Sequence, residues 1–348
     1  EPDGTVVLPL SVTLRQGESL VMSLLWDPVN SVVKRYIFEP DIKVKPQIPS
    51  AKDVMLFVSN SGSNYISVID KSLERVIAAI TVGKNPTGMA VNNAKSVVYV
   101  LNSGSGTVTE IDAIGLSVRD TIPLPSGMGP SDIAFVPKFE NAEEGKLYVV
   151  NRISNDVTVI DTFSKMVLSA IKVGTEPTFI AFDPKRRDIY VTNETSNDLN
   201  IINVESDSIV ATVKLDAKPV GAALGNGVIY VFQEGLGSIA VISLSTRQII
   251  ERIMPGQQPR RGVRGFNGML FVVNTKSGSI SFLNSGGGVQ RSVASGKAPL
   301  GIALDERRNR VYVSDYGGNS VFMFDPFGER LVNTLTVGSN PYKAVQLD

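Results

Sequence analysis

One phrase returns seven times along this chain: a short apolar or aromatic run that ends in a carboxamide or carboxylate. It reads LFVSN to Asn60, VYVLN to Asn102, LYVVN to Asn151, IYVTN to Asn193, IYVFQ to Gln233, LFVVN to Asn274 and VYVSD to Asp315. Successive closing residues lie 42, 49, 42, 40, 41 and 41 positions apart. A period of that length constrains the fold more than any composition does. Each unit is one supersecondary block, too small to bury its apolar surface without neighbours of the same kind. The single long interval is accounted for by an insertion between two strands, residues 137–145.

Three more phrases keep step with the first. The second follows about nine residues on and runs ISVID to Asp70, VTEID to Asp112, VTVID to Asp161, LNIIN to Asn203, IAVIS to Ser243, ISFLN to Asn284 and VFMFD to Asp325. The third is typified by VIAAITVG, ending at Gly83, and MVLSAIKVG, ending at Gly174. The fourth opens on proline, as in NPTGMAV from Asn85, GPSDIAF from Gly129, EPTFIAF from Glu176 and QPRRGV from Gln258. These are β-branched, alternating segments separated by Gly, Asn, Ser, Asp and Pro turns. Four strands in about 40–45 residues describe a β-propeller blade. The fold expected is therefore all-β, a seven-bladed β-propeller over residues 52–348. The first unit lacks a proline strand before it, and the last proline strand, from Asn340, has no unit after it. That C-terminal strand should close the ring by becoming the innermost strand of the first blade, which removes two open sheet edges.

Composition narrows the chemistry. The 348 residues include 34 basic and 34 acidic side chains, no histidine and no cysteine. The balanced charge gives no general pull toward nucleic acid or an anionic membrane, and no nucleic-acid partner is expected. Without cysteine there are no disulfides, thiolate nucleophiles, iron–sulfur clusters, covalently attached haem or structural zinc of the usual kind. Without histidine the commonest general base and transition-metal ligand are missing. No catalytic residue, metal or cofactor is assigned on these grounds. No apolar run reaches the roughly 18 residues of a membrane-spanning helix.

The repeat resembles the YVTN-family β-propeller. Ile189-Tyr190-Val191-Thr192-Asn193 carries the namesake tetrapeptide, and Asp183-Pro184 with its basic turn also matches. The resemblance covers roughly residues 52–348. It implies a propeller of the kind found in surface-layer proteins, periplasmic binding proteins and some enzymes. Export to the periplasm or cell surface is the matching expectation, and a first residue other than methionine fits a removed leader.

Residues 1–51 stand outside the repeat. Strand-like runs at Thr5–Leu14, Ser19–Trp26 and Ser31–Phe38 precede a connector marked by Pro40, Pro46 and Pro49. They suggest a β-rich appendage, packed on the propeller or lent to a partner.

Equivalent residues in every blade build the blade, so function is sought where blades differ. The closing Asn of each first phrase is read as a strand end that tolerates the left-handed conformation and caps the next turn. The Asp70, Asp112, Asp161 and Asp325 series is read as opening hairpins. The loops that follow the first and third phrases should share one face around the channel mouth, and they carry Arg152, Glu194, Glu234, Lys276 and Tyr316. One blade departs further, with Arg260, Arg261 and Arg264 on a strand expected to line the channel. Guanidiniums there suit an anionic ligand or an acidic partner loop; the structural alternative is an ion pair with Glu234, Glu194 or Asp315. The chain thus reads as an exported interaction or scaffold protein with a protein partner in the envelope or at the cell surface. A histidine-independent propeller enzyme or small-ligand binder at the channel mouth is the alternative.

Overall fold

A computed structural model describes residues 55–347, except 125–127 and 266, together with the backbone of four strands nearer the N-terminus. Seven four-stranded antiparallel sheets follow one another, and the described residues include no helix. Blade 4 shows the plan: Pro177–Asp183, Asp188–Asn193, Asp198–Asn203 and Ser208–Lys214, paired in that order. The innermost strands of blades 2 to 7 are Pro86–Asn92, Pro130–Pro137, Pro177–Asp183, Pro219–Leu224, Pro259–Arg264 and Pro299–Asp305. In blade 1 that place is taken by the C-terminal strand Pro341–Gln346, which pairs with Met55–Asn60. The ring closes as the repeat order requires, and the long interval is an insertion between Pro130–Pro137 and Gly145–Asn151.

Burial explains the residue pattern. Core clusters lie between neighbouring blades: Tyr190, Leu199 and Ile201 of blade 4, for example, pack with Ala222, Ile229 and Val231 of blade 5. The second strand of each sheet is covered on both faces and reads as a nearly unbroken apolar run, as in Val97–Asn102, buried throughout. The outermost strand is largely exposed, as in Ser208–Lys214, and tolerates polar residues.

The repeated asparagine builds the blade, though not by adopting a left-handed turn. Asn60, Asn102, Asn151, Asn193 and Asn274 are extended and fully buried. Each donates through Nδ2 to the side chain seven residues on: Ser67 (2.9 Å), Thr109 (2.8 Å), Thr158 (2.8 Å), Asn200 (2.8 Å) and Ser281 (2.8 Å). The left-handed residue comes four positions later, as Asn64, Asn155, Asn197 and Asn319, with φ between 52° and 58°. Those side chains accept from the N–H that precedes the next proline strand, at Asn85, Glu176, Lys218 and Asn340, over 2.7–3.0 Å. The glycine that ends the third phrase also finds its reason. A Cβ on Gly174 would lie 2.7 Å from Cγ of Asn193, and one on Gly83 would lie 2.7 Å from Cγ of Asn102. The aspartate series does open hairpins. Asp112 Oδ1, for one, accepts from the N–H groups of Ile114 (2.9 Å) and Gly115 (3.0 Å).

Toward the N-terminus, Met22–Asp27 pairs with Asp41–Pro46, and Val32–Lys34 pairs with Ile37–Phe38. The expected run Ser31–Phe38 therefore contains two short paired strands, and the proline-marked connector contains a strand. Three prolines do not forbid one here, because Pro46 sits at a strand end, where its missing N–H is tolerated. Thr5–Leu14 lies outside the described residues.

Closure is reinforced below the ring. Lys71 of blade 1 reaches Asp305 of blade 7 at 2.7 Å, with both side chains at most 3% exposed, and it also donates to Gln346 at 2.9 Å. Removing the lysine leaves buried Asp305 to the more distant Arg308 guanidinium, 3.4 Å away, so Lys71→Met should lower unfolding free energy by about 3 kcal/mol, the lower end for a broken buried pair. Adding Asp305→Leu to that variant should restore part of the loss. Denaturant unfolding of the three proteins checks it; a double variant less stable than Lys71→Met would contradict the clamp.

Candidate functional site

Every innermost strand begins at proline and has a register irregularity just after it. Such irregularities turn side chains away from the regular alternation. The position two residues after the proline is Lys343, Gly88, Asp132, Phe179, Gly221, Arg261 and Gly301 in blades 1 to 7. Three of the seven are glycine, and close approach of the next blade is the cause. A Cβ on Gly88 would lie 3.0 Å from Oδ1 of Asp132, and one on Gly301 would lie 2.5 Å from the Tyr342 carbonyl. A Cβ on Gly221 would lie 2.2 Å from the Arg260 carbonyl. Blades 1, 3, 4 and 6 fill the space so left.

Their side chains meet across the channel. Lys343 Nζ lies 2.7 Å from Asp132 Oδ1 and Arg261 Nη1 lies 3.3 Å from Asp132 Oδ2. The Ile133 N–H adds a third donor at 3.0 Å. Arg261 also lies over the Phe179 ring, 4.5 Å from its centroid. Side-chain exposure is 1% for Asp132, 12% for Arg261 and 21% for Lys343. Burial by itself pushes the Asp132 carboxyl up, but the adjacent ammonium and guanidinium outweigh it and hold the group below the ordinary carboxylate range. For Lys343, burial and the like charge of Arg261 outweigh Asp132 and bring the amine below its ordinary value. One anion and two cations thus stopper the channel.

The face above carries most of the residues expected there, and they engage one another. Arg152 Nη2 lies 2.9 Å from Glu194 and 3.4 Å from Glu176. Glu176 also accepts from the Thr195 hydroxyl at 2.6 Å. Those bonds, with that from Thr195 foremost, keep its carboxyl below the usual range. Arg260 pairs with Glu234 at 3.6 Å. Tyr316 packs edge-on against Tyr342, with centroids 6.5 Å apart, and Lys276 is exposed.

Two expectations change. Of the proposed arginine partners, only Glu234 is found, on Arg260; Arg261 pairs instead with Asp132, and Asp315 accepts from the backbone N–H groups of Lys297 and Ala298. Arg264, three residues beyond Arg261 on a strand that runs from one face to the other, opens into a cavity with Asp305, Glu306 and Arg307 at the opposite end. It is not part of the mouth. Asp132, Lys343 and Phe179 were missed, although aligning the proline phrases puts them in one column with Arg261.

The opposite face bears a feature that charge reading overlooks. Large apolar side chains stand more than half exposed at the turns between third and fourth strands of blades 7, 1, 2 and 3: Phe327, Leu73, Ile114 and Phe163. Blades 4, 5 and 6 carry Glu205, Ser245 and Gly286 in the corresponding turns. Among the described residues, no group of three or more acidic side chains is placed to hold a metal ion, and no helix is long and apolar enough to cross a membrane.

Comparison with known proteins places the fold among solved propellers. A functionally unknown protein from Desulfotomaculum acetoxidans aligns with TM-score 0.70 and 12% identity over 84% of this chain and 98% of that one. Kuenenia stuttgartiensis hydrazine synthase aligns with TM-score 0.65 and 18% identity, covering 74% of this chain and 88% of that chain. Virginiamycin B lyase from Staphylococcus aureus aligns with TM-score 0.62 and 15% identity over 74% and 87%. The likeness is one of fold. No family model matches the chain, and no curated protein sequence matches it.

Breaking the stopper should cost stability. Asp132→Asn leaves two cations facing each other across the channel and should destabilise by about 3–5 kcal/mol. Arg260→Ala, which removes a looser and more exposed pair, should stay within about 1 kcal/mol. Equal losses from the two in urea unfolding would contradict the assignment.

The acid limb follows from the same carboxylates. Asp132 and Asp305 are both held below their unfolded value. They bind fewer protons folded than unfolded, so their contribution is complete above about pH 4 and is lost as pH falls through the lower folded values. There is no histidine to add a transition near pH 6–7. Melting temperature should hold from pH 8 to about 5 and then decline. A fall between pH 7 and 5.5 would contradict this.

Proposed function

We propose that the chain is an exported YVTN-type propeller that acts as an interaction module at the cell envelope or surface, docking another protein on a rigid face. Residues 1–51 form its β-rich appendage and residues 52–348 its propeller. The family reading rests on the seven recurrences and the intact Tyr190-Val191-Thr192-Asn193, and export rests on that resemblance.

The arc of Phe327, Leu73, Ile114 and Phe163 carries the docking reading. Large apolar residues scattered singly over a surface need no explanation, but one exposed tip on each of four successive blades offers a partner a repeated set of apolar contacts. Phe139, on the insertion of blade 3, adds a further exposed ring on the same face. Rigid sheets beneath these turns mean that little ordering is needed on binding.

Catalysis at the channel mouth has less support. A general acid or base works best with a pKa near the working pH. Asp132 and Glu176 are instead held low and are engaged by cations.

Capture from an envelope extract tests the docking reading. The full chain should retain a partner that the Leu73→Ser, Ile114→Ser, Phe163→Ser, Phe327→Ser variant loses, with melting temperature unchanged because all four side chains are exposed. Capture unaffected by these four changes but lost in Arg152→Ala with Arg260→Ala would overturn this choice of face.

A further inference from the structure

At the end of the channel away from the stopper lies a cavity of about 580 Å³. Leu224, Val263 and Leu304 supply an apolar part of its wall, contributed by blades 5, 6 and 7. Among the described residues its ionised lining comprises the cations Lys71, Arg264 and Arg307 and the carboxylates Asp305 and Glu306. Lys71 and Asp305 are matched to each other at 2.7 Å.

Arg264 has no such match among the described residues. Its Nε is buried without a hydrogen-bond partner, and the side chain has no ion pair or other polar partner among the described residues. A buried donor on a permanently charged group is costly to leave unsatisfied. Two glycines give the side chain its room. A Cβ on Gly268 would lie 3.2 Å from one Arg264 terminal nitrogen, and one on Gly225 would lie 3.3 Å from its Cδ. The other channel arginine, Arg261, has both a carboxylate and an aromatic ring. The contrast lies between two arginines of a single strand: among the described residues Arg261 has a counter-group and Arg264 has none.

We propose that Arg264 anchors a binding site for a small organic carboxylate with an apolar body. The guanidinium fork takes the carboxylate, a geometry for which arginine is suited, while the body lies against Leu224, Val263 and Leu304. This site is separate from the loop face and from the apolar arc, so it stands or falls independently of partner docking.

Benzoate is the probe, with benzamide as its uncharged counterpart and inorganic phosphate as the anion without an apolar body. Titrated into the full chain, benzoate should give a saturable shift of the Arg264 Nε–H resonance. By calorimetry it should bind at least 10-fold more tightly than either benzamide or phosphate. Arg264→Met should weaken benzoate at least 10-fold with an unchanged or raised melting temperature, while Arg260→Ala leaves it unaltered. Arg264→Lys, which keeps the charge and loses the fork, should weaken it less than Arg264→Met, and this variant carries the test if Arg264→Met does not fold. Benzoate binding no tighter than benzamide overturns the proposal. So do phosphate binding as tightly as benzoate, and benzoate affinity unchanged in both Arg264 variants.

Discussion

Seven sheets stacked face to face leave two apolar faces uncovered until the last blade meets the first. In this chain the join depends on one strand, Pro341–Gln346, entering the first sheet beside Met55–Asn60. The hydrogen bonds are ordinary; the constraint is geometric. Without that strand, blade 1 has an open inner edge and blades 1 and 7 lose their mutual packing. The Lys71–Asp305 pair secures the same seam from the opposite face. Every inter-blade core cluster then has a neighbour on both sides, which an open row of sheets would deny to its ends.

Closure also explains the channel chemistry. Innermost strands brought this close leave no room for seven side chains at one level. Glycine at positions 88, 221 and 301 lets neighbouring backbones approach, and four larger groups fill what remains. Two of these are cations that share one carboxylate. Such a cluster is expensive to dry out and strongly destabilising to break. It fills the axis and separates two ends with different character: a rim of mutually paired charges above, and below a cavity whose arginine has no counter-group among the described residues.

The architecture was legible because repetition averages out local ambiguity. One IYVTN phrase does not make a blade, but seven in register with three other phrases do. The aspartate hairpins were legible too, since an Asx turn is a local event. The role of the repeated asparagine was legible only in outline. Its partner lies seven residues on, across a strand pair, and the adjoining glycine is demanded by a collision 19 residues earlier in the chain, as between Asn193 and Gly174. The arginine-bearing blade stood out, yet its three arginines were grouped by adjacency. A strand that crosses the ring from face to face puts Arg260 at the rim, Arg261 in the stopper and Arg264 in the far cavity. Asp132 escaped notice because it looks unremarkable in its own phrase and matters only beside residues 129 and 211 positions away.

By itself the sequence determined the number of blades, the order of strands within each and the way the ends meet. These follow from period and alternation, which are properties of neighbours along the chain. Only the tertiary structure decided which charges pair, which arginine reaches which end of the channel and which turns place their apolar tips along an arc. Those outcomes depend on distances across the ring, set when seven sheets close around a common axis.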